Sequence, residues 1–127
     1  MIHDLDDELL AYANSHSTME PELLQALRKK TWQKVLTPQM LSDSIQGRFL
    51  TNLSRMIRPT SILELGTYTG YSTLCLAAGL QPQGKLDTIE PNDELNAIQD
   101  EFWKKAGLSD VIRRHNGEAL QVLPDLP

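Results

Sequence analysis

Apolar residues recur at helical spacing through the first half of this chain. Leu5, Leu9 and Tyr12 predict a short first helix. Pro21 opens a second, with Leu23, Leu24, Leu27 and Thr31 down one side. Thr37-Pro38 breaks the pattern, because proline disfavours helix in the residue before it. Ser42 or Asp43 caps a third helix. That helix carries Ile45, Phe49, Leu50, Leu53, Met56 and Ile57 on one face and stops at Pro59-Thr60.

The period then changes. Residues 61–65 read as a buried strand, 71–80 as a helix and 85–89 as a second strand after the Pro82-Gln83-Gly84 turn. Asn92 caps another helix, with Asp93 and Glu94 in its first turn, where the helix dipole favours anions. Leu95, Ile98 and Phe102 mark its buried side, and Gly107 is its stop. Residues 111–115 predict a third strand, followed by Gly117-Glu118-Ala119 and a short helix before Pro124. Helices first, then strand-helix-strand-helix-strand, predict an α/β fold: a parallel sheet with N-terminal helices packed on it.

Length and composition narrow this picture. The 127 residues suffice for one modest domain, with no repeat and no joining linker. No apolar run approaches the roughly 20 residues that span a bilayer, and the acidic N-terminus does not read as a signal peptide. The expectation is a cytoplasmic protein. A net charge of −5 disfavours a large nucleic-acid surface. The single cysteine, Cys75, reads as a buried core thiol. His3, His16 and His115 lack metal-ligand spacing. Trp32 and Trp103 read as packing residues.

The densest chemistry lies at residues 62–72, Ile-Leu-Glu-Leu-Gly-Thr-Tyr-Thr-Gly-Tyr-Ser. A strand ends in Glu64-Leu65, a turn carries Gly66 and Gly70, and a helix begins. Glycines there let a ligand approach the backbone. Counted from Gly66, the first, third and sixth positions are Gly66, Tyr68 and Tyr71. A dinucleotide fingerprint needs glycine at all three, so a nicotinamide-dependent oxidoreductase is disfavoured. Glu90, at the end of the second strand, faces the crevice and can accept both hydroxyls of a ribose. The plain alternative is an exposed acid in a turn. Glu64 interrupts an apolar strand, where an unpaired carboxylate is costly. Backbone N–H groups of the glycine turn, or a cofactor amino group, would justify it; an acid facing water is the alternative. Together these features read as half of a nucleotide-type site, with a spacing that favours S-adenosylmethionine.

These residues resemble the cation-dependent O-methyltransferases, the catechol and caffeoyl-CoA group and their bacterial relatives. Residues 62–72 are close to that family's first motif, and Asp87-Thr88-Ile89-Glu90 matches its second. Residues 102–108, Phe-Trp-Lys-Lys-Ala-Gly-Leu, match its helix-to-strand passage, and Gly117-Glu118-Ala119 its usual Gly-Asp-Ala. Met40-Leu41-Ser42 through Gln46-Gly47 looks like the lid over the methionine end of the cofactor. The resemblance implies a class I S-adenosylmethionine-dependent, Rossmann-like fold, incomplete here. Residues 1–57 would form the N-terminal helices and lid, and 58–127 the first half of the α/β domain.

The implied cofactor contacts are Ser42 from the lid, Glu64 at the methionine amino end, and Gly66 and Thr67 lining the turn. Tyr68 would shield the sulfonium, Ser72 bond the methionine carboxylate, Glu90 hold the ribose, and Glu118 and Ala119 border the adenine. The family's catalytic and metal-binding residues have no counterpart in this chain, which is expected to be the N-terminal part of a longer enzyme. The divalent metal, of the Mg2+ type, is expected only with the remainder. The acceptor stays open among catechols, phenylpropanoid thioesters and modified tRNA bases, and the acidic balance favours a small molecule. A homodimer through the N-terminal helices is also implied. The alternative is a non-catalytic module that binds a nucleoside or a partner chain.

Overall fold

The computed structural model describes residues 6–127. Leu5 and His3 lie outside the described residues. Helices α1 (Asp7–Ser15), α2 (Glu22–Lys34) and α3 (Ser44–Ile57) precede β1 (Ser61–Leu65), α4 (Tyr71–Ala77), β2 (Lys85–Glu90), α5 (Asn96–Lys105), β3 (Ile112–Asn116) and α6 (Ala119–Val122). The three strands are parallel in the order β1-β2-β3, with Glu64 opposite Thr88 and Glu90 opposite Asn116. The predicted α/β order is therefore found. α4 is shorter than expected, and Asn92 caps a 3-10 turn (Asp93–Leu95) that leads into α5.

The core lies on one face of the sheet. Leu24 and Leu27 of α2, Tyr71, Leu74 and Cys75 of α4, Leu86 of β2, Phe102 and Trp103 of α5 and Ile112 of β3 form one cluster. Each fully buried large apolar side chain contributes about 1.5–3 kcal/mol. Burial in this cluster pushes the Cys75 thiol up to about 11, as expected of an inert core thiol. Trp103 is packed as predicted, but Trp32 is 58% exposed.

α3 departs from its predicted orientation. Asp43 caps it as expected, accepting from the Gln46 amide at 2.7 Å. Yet Phe49, Met56 and Ile57 are exposed, and the buried residues are Gly47 and Ser54. The reason is close approach to α4. The Ser54 hydroxyl donates to the Leu76 carbonyl and accepts from the Gly79 amide at 3.1 Å. A Cβ on Gly79 would sit 2.1 Å from the Ser54 backbone. Small residues let the two backbones meet, so they choose the contact face in place of the apolar stripe.

α1 buries none of its residues, and Leu9 and Tyr12 stay exposed. It is tied to α3 through Asn14 Oδ1, which accepts from Ser44 Oγ at 2.8 Å and from Arg48 Nη1 at 3.1 Å. Among the described residues no helix is long and apolar enough to cross a membrane.

Candidate functional site

The site forms where β1 and β2 end. The Gly66 amide continues the ladder to the Ile89 carbonyl at 2.9 Å, and the chain then turns sharply. Gly66 has φ 86° with open space where a Cβ would stand. Gly70 has φ 91°, but its missing Cβ would lie 2.7 Å from Trp103 Nε1. The two glycines thus serve different ends: one leaves room for a ligand, the other for an indole.

Between them Tyr68 takes a left-handed φ of 51°, which costs a non-glycine residue about 1–2 kcal/mol. Three bonds hold it there. Its amide donates to Glu90 Oε2 at 2.8 Å, its carbonyl accepts from Gln99 Nε2 at 2.6 Å, and its hydroxyl donates to the Thr37 carbonyl at 2.6 Å. The last bond ties the turn to the segment that crosses above it.

Glu90 is buried, so the exposed-turn alternative fails. One oxygen accepts from the Tyr68 amide and the other from the Asn92 amide at 3.0 Å. A carboxylate oxygen has two acceptor directions, so each keeps one for a ligand. Glu90, Gly66, Tyr68 and Asn92 line a cleft of about 600 Å³, closed above by Leu36, Thr37 and Met40. That volume lies within the range of about 300–1,000 Å³ usual for small-molecule sites. A second cavity of about 80 Å³ adjoins it, lined by Met40, Leu41, Ser42, Gly66, Thr67, Tyr68, Tyr71 and Ser72. A wider depression of about 710 Å³ lies between α1, α2 and α3. It is shallow, and its acid, Glu20, is already held by Arg28 and Tyr71. The strand-end cleft is the better candidate because a backbone-held acid and an open glycine turn meet there.

Glu64 corrects one expectation. Its carboxylate is buried, not facing solvent, and its partners are side-chain hydroxyls, not backbone amides. It accepts from Ser72 Oγ at 2.8 Å, Thr73 Oγ1 at 2.6 Å and Thr88 Oγ1 at 2.7 Å. Burial raises its pKa, and the three hydroxyls oppose that rise. Glu64 lies behind the small cavity and orients Ser72, which lines it. Thr67 Oγ1 bonds Thr88 Oγ1 at 2.6 Å, so the same network steadies the turn.

Ser42, Gly66, Thr67, Tyr68, Ser72 and Glu90 are thus gathered around two joined cavities. Glu118 and Ala119 stand beside them at the end of β3 and are not among the lining residues. Their link to the site is the Gly117 amide, which donates to the Glu90 carbonyl at 3.1 Å. Sequence reasoning missed Gln99, Thr73, Thr88 and the amide role of Asn92. A fully buried glutamine in a helix is signalled only by its position one turn before Trp103 and beside Ile98. Among the described residues no group of three His, Cys, Asp or Glu side chains could hold a metal ion. His115 instead bonds Asp87 Oδ1 at 2.8 Å.

A three-stranded parallel sheet with a glycine turn and a strand-end acid defines a half-sheet of the S-adenosylmethionine-dependent methyltransferase fold. The chain belongs to the O-methyltransferase family, whose profile it matches over residues 14–127. It is 35% identical over 121 residues to the catechol O-methyltransferase domain-containing protein 1 of Mus musculus, covering 95% of this chain and 46% of that one. Caffeoyl-CoA O-methyltransferase 5 of Nicotiana tabacum is 35% identical over 107 residues, covering 84% of this chain and 44% of the relative. A SAH-bound methyltransferase of Podospora anserina superposes with a TM-score of 0.87 at 28% identity, covering 95% of this chain and 52% of that structure. The chain therefore spans about half the length of the relatives it matches.

Proposed function

We propose that this chain is the cofactor-binding part of an S-adenosylmethionine-dependent O-methyltransferase. Its acceptor would be the hydroxyl of a small catechol- or phenylpropanoid-like molecule. The observation that carries this reading is Glu90, buried and backbone-held at the mouth of the cleft with one free acceptor direction on each oxygen. The relatives' names and the SAH-bound Podospora anserina and Bacillus cereus structures support it.

In this reading Glu90 accepts from the two ribose hydroxyls. Gly66 and Thr67 floor the site, Tyr68 flanks the sulfonium, and Ser42 and Ser72 face the methionine end. Glu64 acts near the amino group and through Ser72, whose proton it accepts. Glu118 and Ala119 border the adenine. A bound sulfonium supplies an electrophilic methyl for direct displacement, and this chain's part is to position it. Divalent-metal assistance to the transfer would come from groups outside the described residues, which supply no metal-ligand cluster. We place acceptor-binding and metal-binding groups in further polypeptide of the length the relatives have, laid along the free edge of β1. A cytoplasmic protein that pairs as a homodimer completes the proposal.

Isothermal titration of the full polypeptide with S-adenosylhomocysteine tests the reading. Binding that Glu90→Ala weakens strongly is expected; a folded protein that takes up no ligand would sink it. A second reading, a non-catalytic nucleoside-binding or interaction module, is favoured by the exposed apolar outer face of β1. It predicts binding, or tight association, with no methyl transfer to any catechol under any metal condition.

A further inference from the structure

Arg28 lies outside both cavities, yet it holds one of their walls. Its Nη2 donates to Glu20 Oε1 at 2.9 Å and to the Ser42 carbonyl at 2.9 Å, while Nε donates to Glu20 Oε1 at 3.2 Å. The guanidinium carbon stands 4.8 Å above the centre of the Tyr71 ring. The Tyr71 hydroxyl in turn donates to Glu20 Oε1 at 2.5 Å. Space for that hydroxyl exists because Gly47 has no Cβ; one there would lie 2.6 Å from it. Glu20, Arg28 and Tyr71 therefore form a closed knot joining the entry to α2, the start of α4 and the crossing segment.

We infer that Arg28 is a positioning residue that fixes Ser42 over the methionine end of the site, with Glu20 and Tyr71 fixing Arg28. The crossing segment is pinned at two points. Tyr68 holds it at Thr37, beside the large cleft, and Arg28 holds it at Ser42, beside the small cavity. One residue further on, Asp43 is spent on capping α3. Ser42 thus sits between two fixed points, its carbonyl turned to Arg28. Tyr71 contributes twice: its ring lines the small cavity and its hydroxyl closes the knot. Arginine suits this task because a planar fork can serve a carboxylate and a carbonyl at once. A lysine at the same place could keep one of these bonds in good geometry. The knot acts at one end of the site only, since Glu90 and the nucleoside cleft are held by other groups.

This inference rests on the cofactor reading above, and two ligands separate the two. S-Adenosylhomocysteine spans both cavities, whereas 5′-methylthioadenosine lacks the amino-acid end and needs only the large cleft. In the full polypeptide, Arg28→Met should weaken S-adenosylhomocysteine about tenfold and leave methylthioadenosine unchanged. Arg28→Lys should recover part of that loss. Equal weakening of both ligands would mark a general structural role and overturn the inference. Unchanged binding of both, with the bond to Ser42 gone, would overturn it as well. Failure of the unsubstituted protein to bind either ligand would instead overturn the cofactor reading. If Arg28→Met does not fold, the same ratio is read from Arg28→Lys. A selective loss of about threefold supports the positioning role, and no selectivity refutes it.

Discussion

The strand-end site and the outer flank of the same sheet obey opposite rules. Around the turn, buried polar groups are matched, the Trp103 indole N–H excepted: Glu64 by three hydroxyls, Glu90 by two amides, the Tyr68 carbonyl by Gln99. On the other side, apolar groups are left in water. Leu63 and Leu65 of β1 are 50% and 57% exposed. Among the described residues β1 is also an edge strand with one side unpaired. Residue alternation explains the contrast within a single strand. Glu64 points to the α4 side and its two neighbours point away. One side of β1 is finished by this chain, and the other has the character of an interior surface.

The comparison breaks most visibly at Glu90. Glu90→Ala removes a charged acceptor for two hydroxyls, and hydrogen bonds to charged groups are worth about 1.5–3 kcal/mol each. S-Adenosylhomocysteine affinity should fall about a hundredfold or more by titration calorimetry. A change of less than about threefold would mean that the strand-end acid is only structural.

The two glycines sharpen it next. Gly70→Ala forces a left-handed alanine and drives its methyl against Trp103. The expected stability loss is about 2–5 kcal/mol in denaturant melts. Gly66→Ala meets open space, so only the backbone term of about 1–2 kcal/mol applies. Its methyl stands where both cavities join, so it should weaken the ligand more than Gly70→Ala does. The reverse order for either readout would show that the open side of the turn has been placed wrongly.

The flank gives a smaller effect of another kind. Leu63→Lys sets an ammonium opposite Asp87 in register, on the face away from α4. The 127-residue chain alone should self-associate through exposed apolar surface and an open edge, and Leu63→Lys with Met56→Lys should reduce this in light scattering. Ligand affinity should not move. A chain that is monodisperse without the substitutions would show that this flank needs no cover.

What could be read from the sequence follows the same divide. β1 was legible because a short apolar run ends at glycine, β2 and β3 because each is followed at once by proline or glycine, and the caps because Asp43 and Asn92 announce themselves. Ser42, Tyr68 and Ser72 were legible through the family resemblance, and Gly66 and Glu90 also because they stand at the ends of β1 and β2. The orientation of α3 was not. Its apolar stripe points outward, while Gly47 and Ser54, which carry no hydrophobic signal, choose the contact. Glu64 was legible as an anomaly only. Its partners Ser72 and Thr73 reach it only once the turn folds α4 back over β1, and Thr88 only through the sheet. Gln99 reads as an ordinary helical polar residue, and only the fold buries it beneath the turn.

Titration offers the finest probe of the finished side. Burial holds Glu64 above its ordinary value of 4.5, with the nearby Glu90 charge pushing the same way. A folded carboxyl with a raised pKa binds its proton more readily than the unfolded one. Stability therefore falls as pH climbs from about 4.5 through the raised value. Glu20 and Asp87 act oppositely. Burial alone would raise both, but Arg28 and Tyr71 outweigh it at Glu20, and Arg113 and His115 at Asp87. Their contribution is complete above the ordinary values of 4.5 and 3.8 and is lost as pH falls through the lowered ones. The two windows do not overlap. Glu64→Gln should therefore flatten the decline in Tm above about pH 4.5 and leave the acid limb below it unchanged. The difference between the two curves isolates Glu64. Parallel curves would mean that the three hydroxyls fully offset its burial. In that case the network around Ser72 costs the folded state nothing, and its retention is explained by stability alone.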